Sequence, residues 1–187
     1  FECRASDLLY NKSMNPFIVG LIGSIILVTG AAWPALKVKH PVLSRKNQLF
    51  AVGNACMFAY AILQYFGGGS FFFILEQILI AVSTVLMLLN TKDRIVAPVI
   101  ALVGSGLIVY SLYLFQGMET VILIVGLTGL GIGFAMNPGS QRRQIALGIG
   151  SALIAYFSYL VKDPIFLWLN TFFAIFSFYH AWRLKSA

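Results

Sequence analysis

Charge is scarce in this chain. Of its 187 residues only 10% are Asp, Glu, Lys or Arg, against roughly 25% in an ordinary soluble domain, while 59% are hydrophobic and the mean hydropathy is +0.87. So few charges cannot solvate the surface of a water-soluble fold, and that class is excluded. Acidic residues number only six, and no His, Cys, Asp and Glu cluster at metal-ligand spacing. The two cysteines, Cys3 in a polar segment and Cys56 in an apolar one, form no disulfide framework. No nucleophile sits beside a base, so the reading is non-enzymatic.

What the chain does contain is apolar stretches of about 20 residues, the length that crosses a ~30 Å hydrocarbon layer as a helix. Seven are predicted, all-α and polytopic: Phe17 to Trp33, Gln48 to Phe66, Phe71 to Asn90, Ile95 to Phe115, Val121 to Met136, Gln144 to Val161 and Ile165 to Trp182. Residues 1–16 are polar and end in Asn15-Pro16, which disfavours helix before the proline and allows it after. Pro34, Gly67-Gly68-Gly69, Lys92-Asp93-Arg94, Gln116-Gly117-Met118-Glu119, Asn137-Pro138-Gly139-Ser140 and Lys162-Asp163-Pro164 separate the rest. Residues 1–187 thus form one membrane domain. The opening Phe-Glu-Cys-Arg-Ala-Ser, without an initial Met, is compatible with a removed transit peptide.

Cations gather in alternate joints. Lys37, Lys39, Arg45, Lys46, Lys92, Arg94, Arg142, Arg143, Arg183 and Lys185, ten of thirteen, fall on one side, and Arg4, Lys12 and Lys162 on the other. The positive-inside rule then puts the C-terminus on the cytoplasmic, stromal or matrix side and the N-terminus opposite. The net charge of +7 is an orientation signal with some attraction to anionic lipid heads, and nucleic-acid binding is not expected.

The two ends of the chain resemble each other. Ile18-Val19-Gly20-Leu21 with Gly23 matches Ile124-Val125-Gly126-Leu127 with Gly129. Gln48 and Ala59-Tyr60 match Gln144 and Ala155-Tyr156, and Phe72 with Leu75-Glu76 falls against Phe166 with Leu169-Asn170. The expectation is a triplet over 17–90, a linker helix over 95–115 and a second triplet over 121–182. An odd linker returns the chain to its starting side, so the triplets become parallel repeats about an axis along the membrane normal.

Glu76 is the one acidic residue inside a predicted span, where an ionised carboxylate costs several kcal/mol unless it is paired, hydrated or protonated. With Asn54 and Asn170 it forms the candidate polar site, either for a solute, proton or pigment or as an interhelical hydrogen bond. Gly126, Gly129, Gly131 and Gly133 offer a small-residue face for close helix packing. His40 and His180 are isolated, a poor ligand set for a metal or pigment. No cofactor is specified, and a bound lipid or pigment stays open. Aromatics mark the span ends at Trp33, Tyr65, Phe66, Tyr113, Phe115, Tyr179 and Trp182, and the run Phe71-Phe72-Phe73 is left facing lipid, pigment or a partner.

The three-plus-one-plus-three plan resembles the SWEET and PQ-loop facilitators and the nicotinamide riboside carriers, although the chain has no Pro-Gln dipeptide. That likeness implies a small-solute carrier with a central site between triplets. Pro41-Val-Leu-Ser-Arg45, Gln48-Leu-Phe-Ala-Val-Gly53 and Ile74-Leu-Glu-Gln77 resemble the small plastid and cyanobacterial membrane proteins of hypothetical chloroplast reading frame sixty-six. The resemblance implies a photosynthetic membrane, the thylakoid first and a plastid envelope or bacterial inner membrane second, with other membrane subunits and lipids as partners.

Overall fold

The structure, a computed structural model, describes residues 15–33, 41–137 and 139–185. Among these the regular structure is helical, without a strand: α1 (Pro16–Ala32), a 3-10 turn (Pro41–Leu43), α2 (Arg45–Phe66), α3 (Phe72–Leu88), α4 (Asp93–Tyr113), α5 (Met118–Ala135), α6 (Gln141–Leu160) and α7 (Pro164–Lys185). The joint residues Pro34, Lys37, Lys39, His40 and Pro138, and Cys3, Arg4 and Lys12 near the start, lie outside the described residues. Four helices are long and apolar enough to cross a membrane, namely α2, α4, α5 and α7, while α1 and α3 are apolar but 17 residues long.

Helix boundaries follow capping chemistry more closely than hydropathy. α6 begins at Gln141, ahead of the expected Gln144, because the Ser140 hydroxyl accepts the Arg143 N–H at 3.2 Å. α2 begins at Arg45 and not Gln48, and the Gln48 side chain reaches back to donate to the Val42 carbonyl at 3.0 Å. Asn15 accepts the Phe17 N–H at 3.1 Å and Pro16 takes the first helical position, where its missing donor costs nothing. α2 ends at Gly67, and Gly68 turns the chain with φ +90.

Consecutive helices run up and down. Gly20 near the start of α1 lies against Tyr60 near the end of α2, and Gly30 near the end of α1 lies against Leu49 near the start of α2. Gly126 against Ile154 and Gly133 against Leu147 place α5 and α6 in the same antiparallel relation. α7 packs along α6 and returns to touch α1, so the first and last helices close the bundle. Both seams come within backbone reach at small residues. A Cβ at Gly150 would stand 2.6 Å from the Leu130 nitrogen and 2.9 Å from the Gly126 oxygen, and one at Gly23 2.9 Å from the Cys56 Cβ. Close approach of this kind gives dispersion contacts where lipid supplies no hydrophobic driving force.

The starts of α3 and α7 and the ends of α2, α4 and α6 meet at one end of the bundle, here called the aromatic end. There Phe73 stacks on Phe166 with ring centroids 4.1 Å apart and planes 2° apart. Phe157 packs edge-on against both Phe72 (5.9 Å) and Phe73 (5.5 Å), and Tyr60 lies against Phe166 at 5.6 Å. Phe72 and Phe73 are therefore interior, whereas half-buried Phe71 packs between Tyr65 and Tyr110. α4 is the least enclosed helix, with Leu102 75%, Val109 66% and Tyr113 84% exposed.

Candidate functional site

The site is built where α3 and α7 face each other just beneath the aromatic layer. Phe73 aims at α7, and residues three and four further along a helix share that side, which turns Glu76 and Gln77 inward as well. Both are essentially sealed, at 1% and 2% exposed. On α7 the same spacing sets Asn170 one turn beyond Phe166.

The Asn170 amide donates to Glu76 Oε1 at 3.1 Å and shares its hydrogens with the Phe166 carbonyl at 3.2 Å. The second carboxyl oxygen, Oε2, and the Gln77 side-chain oxygen are buried with no hydrogen-bond partner among the described residues. Such orphaned acceptors are rare in native interiors. Of the expected trio, Glu76 and Asn170 are joined and Asn54 is elsewhere: its amide donates at 2.7 Å to Thr84, whose hydroxyl returns to the Ile80 carbonyl at 2.8 Å. Asn54 thereby ties α2 to α3 as interhelical glue.

On the outer side of the aromatic layer sits an acid that sequence reasoning counted only as a charge in a joint. Asp163 is 2% exposed and caps α7, accepting the Phe166 N–H at 3.0 Å. Its two oxygens also accept the Tyr60 hydroxyl, at 3.1 and 3.0 Å, which ties the end of α2 to the α6–α7 turn. Burial pushes the Asp163 carboxyl above the ordinary carboxylate range, and the Phe166 N–H, the Tyr60 hydroxyl and the Ile165 N–H pull it partly back. The signal was present in the sequence, because an Asp immediately before a helix-starting Pro is a capping pattern.

Among the described residues no group of three or more His, Cys, Asp or Glu side chains is placed to hold a metal ion. Cys56 is a free, half-buried thiol in the α1–α2 seam, and exposed His180 packs on the Tyr179 ring at 5.7 Å. An apolar groove of about 440 Å³ runs between α1 and α7, lined by residues such as Leu21, Ile25, Val28, Ile165, Trp168 and Phe172. Ser24 and Thr29 also line it, and their hydroxyls donate to the Leu21 and Ile25 carbonyls of the same helix at 2.9 and 2.7 Å.

The site therefore holds one carboxyl against one amide beneath the aromatic layer. Set against protein-family models, curated proteins and solved structures, the chain matches none of them.

Proposed function

We propose that this chain is a non-enzymatic integral membrane subunit, or an assembly and stabilisation factor, of a photosynthetic complex in the thylakoid, with all seven helices crossing the membrane in a three-plus-one-plus-three order. The observation that carries the subunit reading is the packing of the interior. The aromatic layer and the glycine-packed seams fill the space between helices with side chains and backbone. What is left for function is the outer surface, above all the exposed length of α4. A protein that works by its surface works by association. The photosynthetic setting rests on the likeness of the first triplet to the plastid reading-frame proteins, and a stromal C-terminus rests on the charge of the joints.

Three features support the triplet order. Gly20 and Gly23 line the α1–α2 seam as their sequence counterparts Gly126 and Gly129 line the α5–α6 seam. α1 touches α7 and α3 touches α5, contacts that exchange under the repeat. Glu76 bonds to Asn170, its own counterpart, as residues close to a two-fold axis must. Tagged protein retrieved in mild detergent from a photosynthetic cell should co-migrate on a native gel with photosynthetic subunits identified by mass spectrometry. Migration alone, with no such subunit retrieved, rejects the reading.

One observation favours a second reading, a small-solute carrier. A polar pair bridges the two proposed triplets beside two acceptors that lack donors. Proteoliposome uptake that falls with Glu76→Gln and Asn170→Ala but survives Asn54→Ala would establish carriage through that pair. Uptake indifferent to the first two would remove it.

A further inference from the structure

The subunit reading does not explain why a carboxyl stands at position 76 with one oxygen unmatched. Oε1 accepts the Asn170 amide, and among the described residues Oε2 meets no hydrogen-bond partner. An ionised group in that setting bears the full cost of a desolvated charge, which one neutral amide does not offset. The neutral acid leaves only a hydroxyl without an acceptor, a far smaller penalty. Chemistry thus favours a proton on Glu76 while the bundle stays as it is.

The surroundings make that proton hard to lose. Glu76 lies one turn inside the start of α3, so water at the aromatic end is near, yet the Phe73–Phe166 stack and the edge of Phe157 close the way. Of the titratable groups on the elements packed around it, Tyr60 of α2 and Asp163 at the head of α7 face inward, bonded to each other beyond that layer. The tyrosines of α4 and α6, and Glu119 of α5, are exposed. Among the described residues no cation faces the carboxyl, and Asp163 would repel a second negative charge.

We propose that Glu76 is a proton-binding site: the closed bundle holds it as the neutral acid, and its proton passes to water only when the aromatic layer parts and water reaches Oε2. One proton leaves, one carboxylate remains on the Asn170 amide, and no other bond changes. Opening of the bundle and release of a proton are then one event. The inference stands apart from the subunit reading, since it concerns the interior and needs no partner.

Infrared difference spectra of the full-length protein in lipid, wild type minus Glu76→Gln at pH 7, test it. The expected result is a carboxylic-acid carbonyl band that belongs to Glu76, shifts only slowly after transfer to D2O, and shifts at least tenfold faster in Phe73→Leu. Carboxylate bands in place of the acid band overturn the assignment, and a shift complete on mixing overturns the enclosure. Should Glu76→Gln fail to fold, the wild type alone decides. A hydrophobic carbodiimide adds a protonated carboxyl across its C=N bond, so the peptide carrying Glu76 should gain the mass of one reagent while a water-soluble carbodiimide leaves it unmodified. No adduct from the hydrophobic reagent even in Phe73→Leu, where the layer is loosened, or equal modification by both reagents, rejects the proposal.

Discussion

α3 and α7 occupy matched positions in the sequence register and are used differently. Each begins with a phenylalanine that enters the aromatic layer, Phe72 and Phe166, and each follows with a leucine and a polar residue, Leu75-Glu76 and Leu169-Asn170. α7 carries a buried face from one end to the other, from Ile165 through Asn170 and Ser177 to Ala181, with Trp168, Ile175 and Trp182 exposed on the opposite face. The buried residues of α3 stop at Leu79. Their starts differ too: Asp163 caps α7 at 3.0 Å, whereas α3 has only the Ser70 hydroxyl, 3.4 Å from the Phe72 N–H. α7 keeps its buried face from end to end, and α3 keeps one only toward the aromatic end. The difference shows how two helices of similar sequence diverge once one packs along α6 and against α1 and the other borders the loosely packed α4.

The comparison can be broken hardest at the rings. Phe166→Ala removes the partner of both Phe73 and Tyr60 and should lower unfolding stability in detergent by ~3–5 kcal/mol, whereas Phe72→Ala, which loses one edge contact, should cost about half of that. Equal losses would mean that the two helices contribute alike.

Chemistry at the matched polar position comes next. Asn170→Glu alone sets two carboxyls against each other and should destabilise the bundle, while Glu76→Asn added to it exchanges the pair across the proposed axis and should restore stability, a coupling of ~0.5–3 kcal/mol in a double-mutant cycle. A strictly additive result would place the pair away from any axis.

At the helix starts, Asp163→Ala should cost ~1–3 kcal/mol through the lost cap and the stranded Tyr60 hydroxyl, and Ser70→Ala less than ~0.5 kcal/mol, because its bond is long. The pH dependence carries a definite sign. With its folded-state affinity for protons raised by burial, Asp163 favours the folded state fully below the ordinary carboxylate range, and that contribution is lost as the pH rises through its folded value. Asp163→Asn should flatten this part of the stability–pH curve. A similarly small effect belongs to the less buried half of α3, where Asn54→Ala on α2 should cost about 0.6 kcal/mol by loss of the bond to Thr84.

Much of the helical plan could be read in advance, since a helix that must satisfy its own backbone in an apolar medium has to be long and apolar. The boundaries were displaced because hydropathy marks where lipid begins, and helix begins at a cap in the polar joint, as at Ser140. Glu76 was legible as an acid out of place, while its meeting with Asn170 needed two helices far apart in the chain to face each other. Asp163 escaped notice because a charge in a joint ordinarily faces water, and nothing local reveals that the end of α2 folds a tyrosine over it. Phe71-Phe72-Phe73 was ambiguous for a related reason: consecutive phenylalanines point three ways around a helix, and only neighbours decide which of them are inside.

By itself the sequence determined an all-helical chain of apolar segments with cations sorted into alternate joints, because composition and spacing act over single helices and need no partner to take effect. Tertiary structure alone decided that Glu76 pairs with Asn170 and Asn54 does not, that Asp163 is buried, and that α4 stays outside. Those outcomes depend on which faces meet, and meeting is a property of pairs of helices whose side chains must interlock, which no single segment encodes.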